Sequence, residues 1–407
     1  MTALGLVEGV ERTLYRDESE HVNIYPLDQK LGLLEIDGSF SRYTSRFARL
    51  AGDYYARLPE RDALALMNKT LNIDLEQGSL TAIGGAIAQA YLPRRYDEAD
   101  DVGVPQTEEV PKPGFIEQRI QRIDASPERE AIMKRALQGG VEGIERKRTE
   151  IDQSAMYIMP DGTGVSGLPG ELSDKGKNGG PAKTFEVKIG ACFTQGFDPD
   201  GIPLLANGSI YREQGSTKYI GTVEKIGQFT PQMDEFARKN GIGHAGQVVF
   251  ISDGALWLEN LRKKLFPDSI GIVDFYHAIQ HLHKVANSLC FYSKKKKDSF
   301  FEKCYGLLEL GEIEQMADLV MRKTIDSNRG AVEKQLSYFT GNKEKMRYGL
   351  FRAAGLFIGS GVIEAGCKTI VENRLNRSGM RWTKKNAANV IALRCAIYSG
   401  SYDSDAA

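Results

Sequence analysis

Residues 246–289 read GQVVFISDGALWLENLRKKLFPDSIGIVDFYHAIQHLHKVANSL. VVFIS is a short apolar run of β-branched and aromatic residues, stopped by Asp253-Gly254, a pair that favours turns. LWLENLRKKLF then has apolar residues at helical spacing. IGIV is a second short apolar run, and it leads into another helical pattern from Phe275. Strand, helix, strand, helix is the repeat of an α/β protein with parallel strands.

Working outward, the chain before this stretch reads as earlier strands. AMYIMPDGTGV (155–165) is an apolar run expected to end in a turn at Asp161-Gly162. FEVKIGACFTQ (185–195) and IPLLANGSIY (202–211) read as strands joined through the turn FDPDG. TPQMDEFARKNGI (230–242) reads as a helix. After it, residues 298–350 are helical and basic, GLFIGSGVIEAGCKTIVENRL (355–375) places a Gly-rich turn before a helix, and NAANVIALRCAIYS (386–399) is a last helix. Early antiparallel strands followed by strand–helix units give a mixed α/β sheet.

Towards the N-terminus, ERDALALMNKTL (60–71) and TAIGGAIAQAYL (81–92) are helical patterns separated by NIDLEQG. That is the outline of a helix-turn-helix, although the second helix carries no Lys or Arg before Arg94. DEADDVGVPQTEEVPKP (97–113) has the composition of a linker, and RIQRIDASPEREAIMKRAL (119–137) is a charged helical stretch interrupted by Ser-Pro. The expected division is therefore 1–96 N-terminal and mainly helical, 97–150 linker and charged helix, 151–297 central core, 298–350 helical insertion, and 351–407 the last part of the core and a tail.

The chain has 407 residues, 41% hydrophobic and 26% charged, as in an ordinary globular protein. No apolar run reaches the roughly 18 residues of a membrane span, and the N-terminus has no apolar signal region. The five cysteines are odd in number and lack C-x-x-C spacing, which argues against a disulfide framework or cysteine zinc site. A reducing, cytoplasmic setting is expected. The net charge of −1 hides an asymmetry: residues 256–386 hold 23 Lys and Arg against 14 Asp and Glu. A basic C-terminal half suits a polyanionic partner.

Three acids stand out. Asp161 and Asp253 each follow an apolar run and precede glycine, and Glu364 lies near a helix start. They are separated by 92 and 111 residues, so only a fold can unite them. Carboxylates on rigid elements are what hard divalent cations need, and such ions lower the pKa of an attacking oxygen and stabilise a leaving one. Each acid also has a plainer explanation: Asp-Gly is common turn chemistry, and a Glu in a first helical turn meets the helix dipole. Asp274 and His277 form a D-x-x-H step after the second strand. The neighbouring His281 and His283 read as a polar helix face, and Ala278 after His277 excludes a zinc-protease motif. Arg374, Arg377, Arg381, Trp382, Lys384 and Lys385 crowd the segment after Glu364, with cations suited to phosphates and an indole suited either to a base or to the core. Gly162, Gly164 and Gly167 match a dinucleotide fingerprint, but no helix can follow in LPGELSDKGKNGGP. Gly170 to Gly176 imitates a phosphate loop with the wrong spacing and reads instead as a loop bearing Lys175 and Lys177.

The strings YIMPDGTGV, VVFISDGALWLENL, IVDFYHAIQHL and GLFIGSGVIEAGCKTIVENRLNRSGMRWTKKNAANVIALRC resemble those of DDE transposases of bacterial insertion sequences, most closely the ISKra family. The resemblance runs from about Tyr157 to Ser399, with a fainter trace at IYPLDQKLGLLE (24–35). It implies an RNase H-like catalytic domain with a helical insertion. Asp161, Asp253 and Glu364 would occupy the DDE positions and hold two Mg²⁺ or Mn²⁺ ions. His277 would contact a scissile phosphate or steady the metals. Asp274 and the basic cluster, with Trp382, are expected on DNA. The partner is DNA, with a homo-oligomer to bring two ends together and no membrane. The chain departs from related transposases in having no cysteine before Cys192, where they often carry a zinc ribbon. The alternative is an immobile, transposase-derived DNA-binding protein without strand-transfer activity. A glycoside hydrolase is disfavoured by two Trp and the basic C-terminal half.

Overall fold

The computed structural model describes residues 15–17, 22–24, 33–36, 39–96, 114–145, 153–172 and 182–402. The expected linker at 97–113 and the Lys175–Lys177 loop lie outside the described residues.

The chain builds a five-stranded mixed sheet: β1 (Gln153–Ser166), β2 (Thr184–Phe197), β3 (Lys218–Thr222), β4 (Gln247–Ser252) and β5 (Ile270–Val273). The order across the sheet is β3-β2-β1-β4-β5. The first three strands are antiparallel neighbours, whereas β4 runs parallel to both β1 and β5. The expected mixed α/β sheet is thus present, with β1 at its centre.

One expectation is corrected and one refined. Asp161-Gly162 is not a turn, because β1 continues to Ser166 in unbroken register with β2, with Asp161 opposite Ile189 and Ser166 opposite Thr184. Pairing of β1 with β4 stops at Ile158 opposite Phe250, so from Pro160 onward one edge of β1 carries no strand among the described residues, a setting in which proline is tolerated. IPLLANGSIY forms strands as expected, but outside the five-stranded sheet. Leu204–Ala206 and Ser209–Ile210 instead form a small separate sheet with Ile144–Glu145, and the edge position goes to the five residues of β3.

The helices, in chain order, are α1 (Ser45–Arg57), α2 (Glu60–Leu71), α3 (Gln77–Ala88), α4 (Phe115–Asp124), α5 (Arg129–Leu137), α6 (Ile226–Lys239), α7 (Leu256–Leu265), α8 (Phe275–Ser288), α9 (Lys294–Leu310), α10 (Ile313–Met321), α11 (Arg329–Thr340), α12 (Tyr348–Ala353), α13 (Gly361–Gly366) and α14 (Lys384–Ser399). α13 runs on through a π-helical stretch (Cys367–Glu372) and one more turn (Asn373–Leu375). The Ser-Pro step divides α4 from α5, as its backbone restriction predicts.

Both faces of the sheet are buried, as strand alternation requires of a central sheet. Met156 and Ile158 face α6 and α7, against Phe229, Met233, Leu258 and Leu261. Tyr157 and Met159 point to the other face and join a core that extends through α1, α3, α8, α13 and α14. The N-terminal helices share this core. α3 packs against both α1 and α14, and its Gly84 leaves room for the Tyr55 ring of α1.

Two buried arginines lock that junction. Arg374 donates from Nε and Nη2 to the Tyr55 carbonyl at 3.3 and 3.1 Å, and its guanidinium lies 4.9 Å from the centre of the Trp382 ring. Arg394 donates to the Ala56 carbonyl at 2.7 Å. Both therefore satisfy carbonyls at the C-terminal end of α1, where a helix leaves acceptors without partners and favours positive charge. Arg394 also donates to Ile370 (2.9 Å) and to Thr369, carbonyls within the π-helical stretch. No helix among the described residues is long and apolar enough to cross a membrane.

Candidate functional site

Asp161, Asp253, Asp274 and His277 come from the adjoining strands β1, β4 and β5 or from the residues just after them. β1 alternates in side-chain direction, so Asp161 shares a face with Tyr157 and Met159. Its Oδ1 accepts from the Gly162 amide at 2.7 Å, and the Cys367 thiol lies 3.7 Å from its Oδ2. Burial pushes the Asp161 carboxyl above its ordinary pKa, and the charge of Asp253 adds to the rise, against lowering by the Gly162 N–H, His277 and Cys367.

Asp253 follows β4 directly. Its Oδ1 accepts from the Ala255 amide at 2.7 Å, Gly254 turns the chain at φ +85°, and the Tyr338 hydroxyl of α11 donates to the Asp253 carbonyl at 2.8 Å. One step along the sheet, Asp274 follows β5 and caps α8. Its Oδ1 accepts from the His277 amide at 2.8 Å. Its other oxygen accepts from the Ser360 amide at 2.6 Å. Burial pushes the Asp274 carboxyl up, but the bonds from His277 and Ser360 outweigh it and hold its pKa below the ordinary value. His277 Nδ1 lies 3.5 Å from Asp274 Oδ1. That contact raises the imidazole pKa against the opposing effect of burial, and the charges of Asp274, Asp253 and Asp161 add to the rise.

Glu364 is exposed in the first turn of α13, and its Oε1 accepts from the Ser360 hydroxyl at 2.6 Å. It stands three residues before Cys367, so the two share one side of the helix. Cys367 touches Asp161, which places the Glu364 side of α13 next to β1.

The fold thus brings all five chemistry-bearing residues to one end of the sheet, but not in the expected grouping. Asp161, Asp253 and His277 interact through their charges. Among the described residues, the three-donor cluster is Asp274, His277 and Glu364, whose ligand atoms lie within 4.8 Å of one another. Asp161 and Asp253 are not in that cluster.

The residues expected on DNA divide by burial. Arg377, Arg381, Lys384 and Lys385 are exposed. Asp274, Arg374 and Trp382 are corrected. Asp274 is 0% exposed and Arg374 1%, and Arg374 is committed to the Tyr55 carbonyl. Trp382 is 7% exposed and donates its indole N–H to Leu375 at 2.9 Å, so it anchors the core and has no free face for a base. The anchoring still serves the site. Trp382 N donates to Ser166 O at 2.9 Å and Asn376 Nδ2 to Gly164 O at 2.8 Å, which docks the loop bearing Arg377 and Arg381 onto the end of β1. Gly164 is three residues beyond Asp161, about 10 Å of strand.

His281 and His283 are not a bare polar face. Each stacks on an aromatic ring of a later helix, His281 on Tyr338 of α11 at 3.7 Å and His283 on Phe301 of α9 at 4.3 Å. Sequence reading missed Tyr338, Ser360 and Cys367. Ser360 stands one residue before the helix start, and its spacing to Glu364 is one longer than that of a capping box, so it carried no local signal. The other two meet the acids only through long-range contacts.

No family model matches the chain, and no curated protein matches it. Among solved structures it is similar to the Drosophila P element transposase strand transfer complex, at 10% identity and a TM-score of 0.27, covering 90% of this chain and 81% of that chain.

Proposed function

We propose that this chain is a DNA transposase of the DDE type, of the ISKra-like kind its sequence resembles, and that its sheet is the RNase H-like core of the catalytic domain. The observation that carries the reading is the placement of the acids on the mixed sheet. Asp161 lies on the central strand beyond the point where β4 pairing ends, and Asp253 follows the neighbouring parallel strand. Glu364 sits on a helix whose Cys367 touches Asp161. The end of a sheet where strands part is where α/β folds place their chemistry.

The donor set fits Mg²⁺ or Mn²⁺, which prefer carboxylate oxygens. Asp253 and Glu364 each use one oxygen in a hydrogen bond and leave the other without one among the described residues. The repulsion felt by Asp161 from Asp253 is of the kind a shared cation relieves. Asp161, Asp253 and Glu364 would hold the ions, and His277 would face the phosphate. Two bound ions would activate the attacking oxygen and stabilise the departing one. The chain's own residues do the rest. Cys367 and the Gly162 amide orient Asp161, Ser360 orients Glu364, and the docked loop offers Arg377 and Arg381 to the DNA backbone, with Lys384 and Lys385 just beyond. Water cuts one strand to leave a 3′-hydroxyl, and that hydroxyl attacks a phosphodiester of target DNA and displaces its 3′ oxygen. Two ends must meet, so the protein acts as a homo-oligomer on DNA, in the cytoplasm.

The test is cleavage of labelled DNA carrying the ends of the element that encodes the chain, with Mg²⁺ or Mn²⁺, by the parent and by Asp253→Asn. Metal-dependent nicking at the ends that disappears in the variant is the expected result. DNA binding without cleavage by the parent would replace the reading with an immobile, transposase-derived DNA-binding protein.

A further inference from the structure

We infer that Asp274 is a positioning residue: a buried clamp that fixes the mutual placement of Asp253, His277 and Glu364 without touching DNA or metal. The inference rests on the metal-dependent reading of this site. Asp274 is wholly buried between three chain segments and hydrogen-bonds to each. Its amide donates to the Ser252 carbonyl at 2.7 Å, one residue before Asp253. Its Oδ1 accepts from the His277 amide at 2.8 Å and lies 3.5 Å from that residue's Nδ1. Its Oδ2 accepts from the Ser360 amide at 2.6 Å, and the Ser360 hydroxyl in turn holds Glu364 Oε1 at 2.6 Å. The next residue repeats the tie, since the Phe275 amide donates to Ile358 O at 3.1 Å.

Proximity alone groups Asp274 with His277 and Glu364 as donors for one cation. Its hydrogen bonds separate it from them. Each of its oxygens already accepts a backbone N–H, and it has no exposed surface, whereas His277 is part-exposed and Glu364 exposed. The Asp274 carboxylate holds the His277 backbone amide and lies 3.5 Å from the ring nitrogen Nδ1, so it sets where the first turn of α8 starts and leaves Nε2 for other work. No other side chain among the described residues bonds to both the His277 and the Ser360 amides.

Asparagine is the informative replacement. It offers one acceptor oxygen and a donor NH₂, so one of the two amides meets another donor. Asp274→Asn is expected to lower kcat for end cleavage about 10- to 100-fold per folded molecule, with KM for DNA little changed. Saturating Mn²⁺ should not restore the rate. Ser360→Ala, which removes only the last link to Glu364, should lower kcat less, and Ser360→Thr, which keeps the hydroxyl, should return it towards the parent value. Recovery of the Asp274→Asn rate at saturating Mn²⁺ would make Asp274 a ligand and overturn the clamp. A lowered melting temperature with unchanged kcat per folded molecule would make it a purely structural residue and overturn the clamp as well. If the parent binds Mn²⁺ but cuts no DNA, the transposase reading fails while the clamp is judged on amide exchange at His277 and Ser360, expected to be faster in Asp274→Asn and to be unchanged if the clamp is wrong. A parent that binds no Mn²⁺ overturns both.

Discussion

Two Asp-Gly steps are the same dipeptide after similar apolar runs, yet they fold differently. Asp161-Gly162 continues as strand, flanked by Pro160 opposite Gly190 and Thr163 opposite Val187. Asp253-Gly254 leaves its strand at once, with Gly254 at φ +85°. The difference lies in the neighbours. β2 accompanies β1 for its full 14 residues, whereas the pairing between β4 and β5 ends at Ser252 opposite Val273. A strand lasts as long as something pairs with it, and a dipeptide with turn chemistry turns only where pairing has stopped. The two acids consequently reach one region by unlike routes, one projecting from a strand face and one held in a turn.

The largest test of the comparison asks whether unlike backbones serve one function. Asp161→Asn and Asp253→Asn should each reduce metal-dependent end cleavage by at least about 10²-fold, the scale of losing one preorganised charge-stabilising group. Single-turnover cleavage of end DNA measures both. Should Asp161→Asn keep full activity while Asp253→Asn is dead, Asp161 would be a strand residue that merely borders the site.

Next in size is a stability contrast at the glycines. Gly254→Ala places a side chain at a left-handed φ, and its Cβ would meet the Tyr338 ring at 3.1 Å. A cost of about 1–2 kcal/mol is expected from the backbone conformation alone. At Gly162 the backbone is extended, and the nearest atom to an added Cβ is the end of the Glu186 side chain at 3.0 Å, which can swing aside. Gly162→Ala should lie within about 0.5 kcal/mol of the parent. Urea unfolding of the two variants gives the comparison directly, and equal costs would mean that Asp161-Gly162 turns after all.

This contrast marks what could be read from the residues. VVFIS and IGIV announce β4 and β5 because buried parallel strands are continuous apolar runs. The helices after them are legible from spacing, and so are the acids at their starts. KYIGT of β3 was not legible: five residues with one charge and one glycine become a strand through pairing with β2 and packing against α14. Nor could composition sort the basic cluster, since Arg374 and Arg377 differ only in which side of a turn meets α1. The spacing of Asp274 to His277 is legible in the sequence, but its partner Ser360 is 86 residues away and only the fold joins them.

A smaller effect probes how the Asp253 turn is held. Tyr338→Phe removes the hydroxyl that donates to the Asp253 carbonyl while keeping the ring on which His281 stacks. A loss of about 1 kcal/mol in stability is expected, with the Asp253 turn loosened and Asp161 undisturbed. Amide exchange would show it as faster exchange at Gly254 and Ala255 and unchanged exchange at Gly162. Equal acceleration at all three would mean that the two steps move as one unit and that their separation is only geometric.

The smallest effect is the most specific to Asp161. Burial, with the nearby Asp253 charge, raises its folded pKa above the ordinary 3.8. A carboxyl so raised adds stability at acid pH, where it is protonated, and that contribution is lost as the pH rises through its folded pKa. Above that point the ionised Asp161 is a cost to the metal-free fold. In chelator, Asp161→Asn should therefore melt slightly higher than the parent at neutral pH, and the gap should close as the pH falls below the ordinary carboxylate value. Excess Mn²⁺ should reverse the order, because an ion that binds only the folded parent stabilises it by mass action. Thermal melts at several pH values, with chelator and then with Mn²⁺, read both signs. An Asp161→Asn protein less stable than the parent in chelator at neutral pH would mean that its hydrogen bonds from Gly162 and Cys367 outweigh its burial, and that Asp161 is held for the strand's sake rather than poised for a cation.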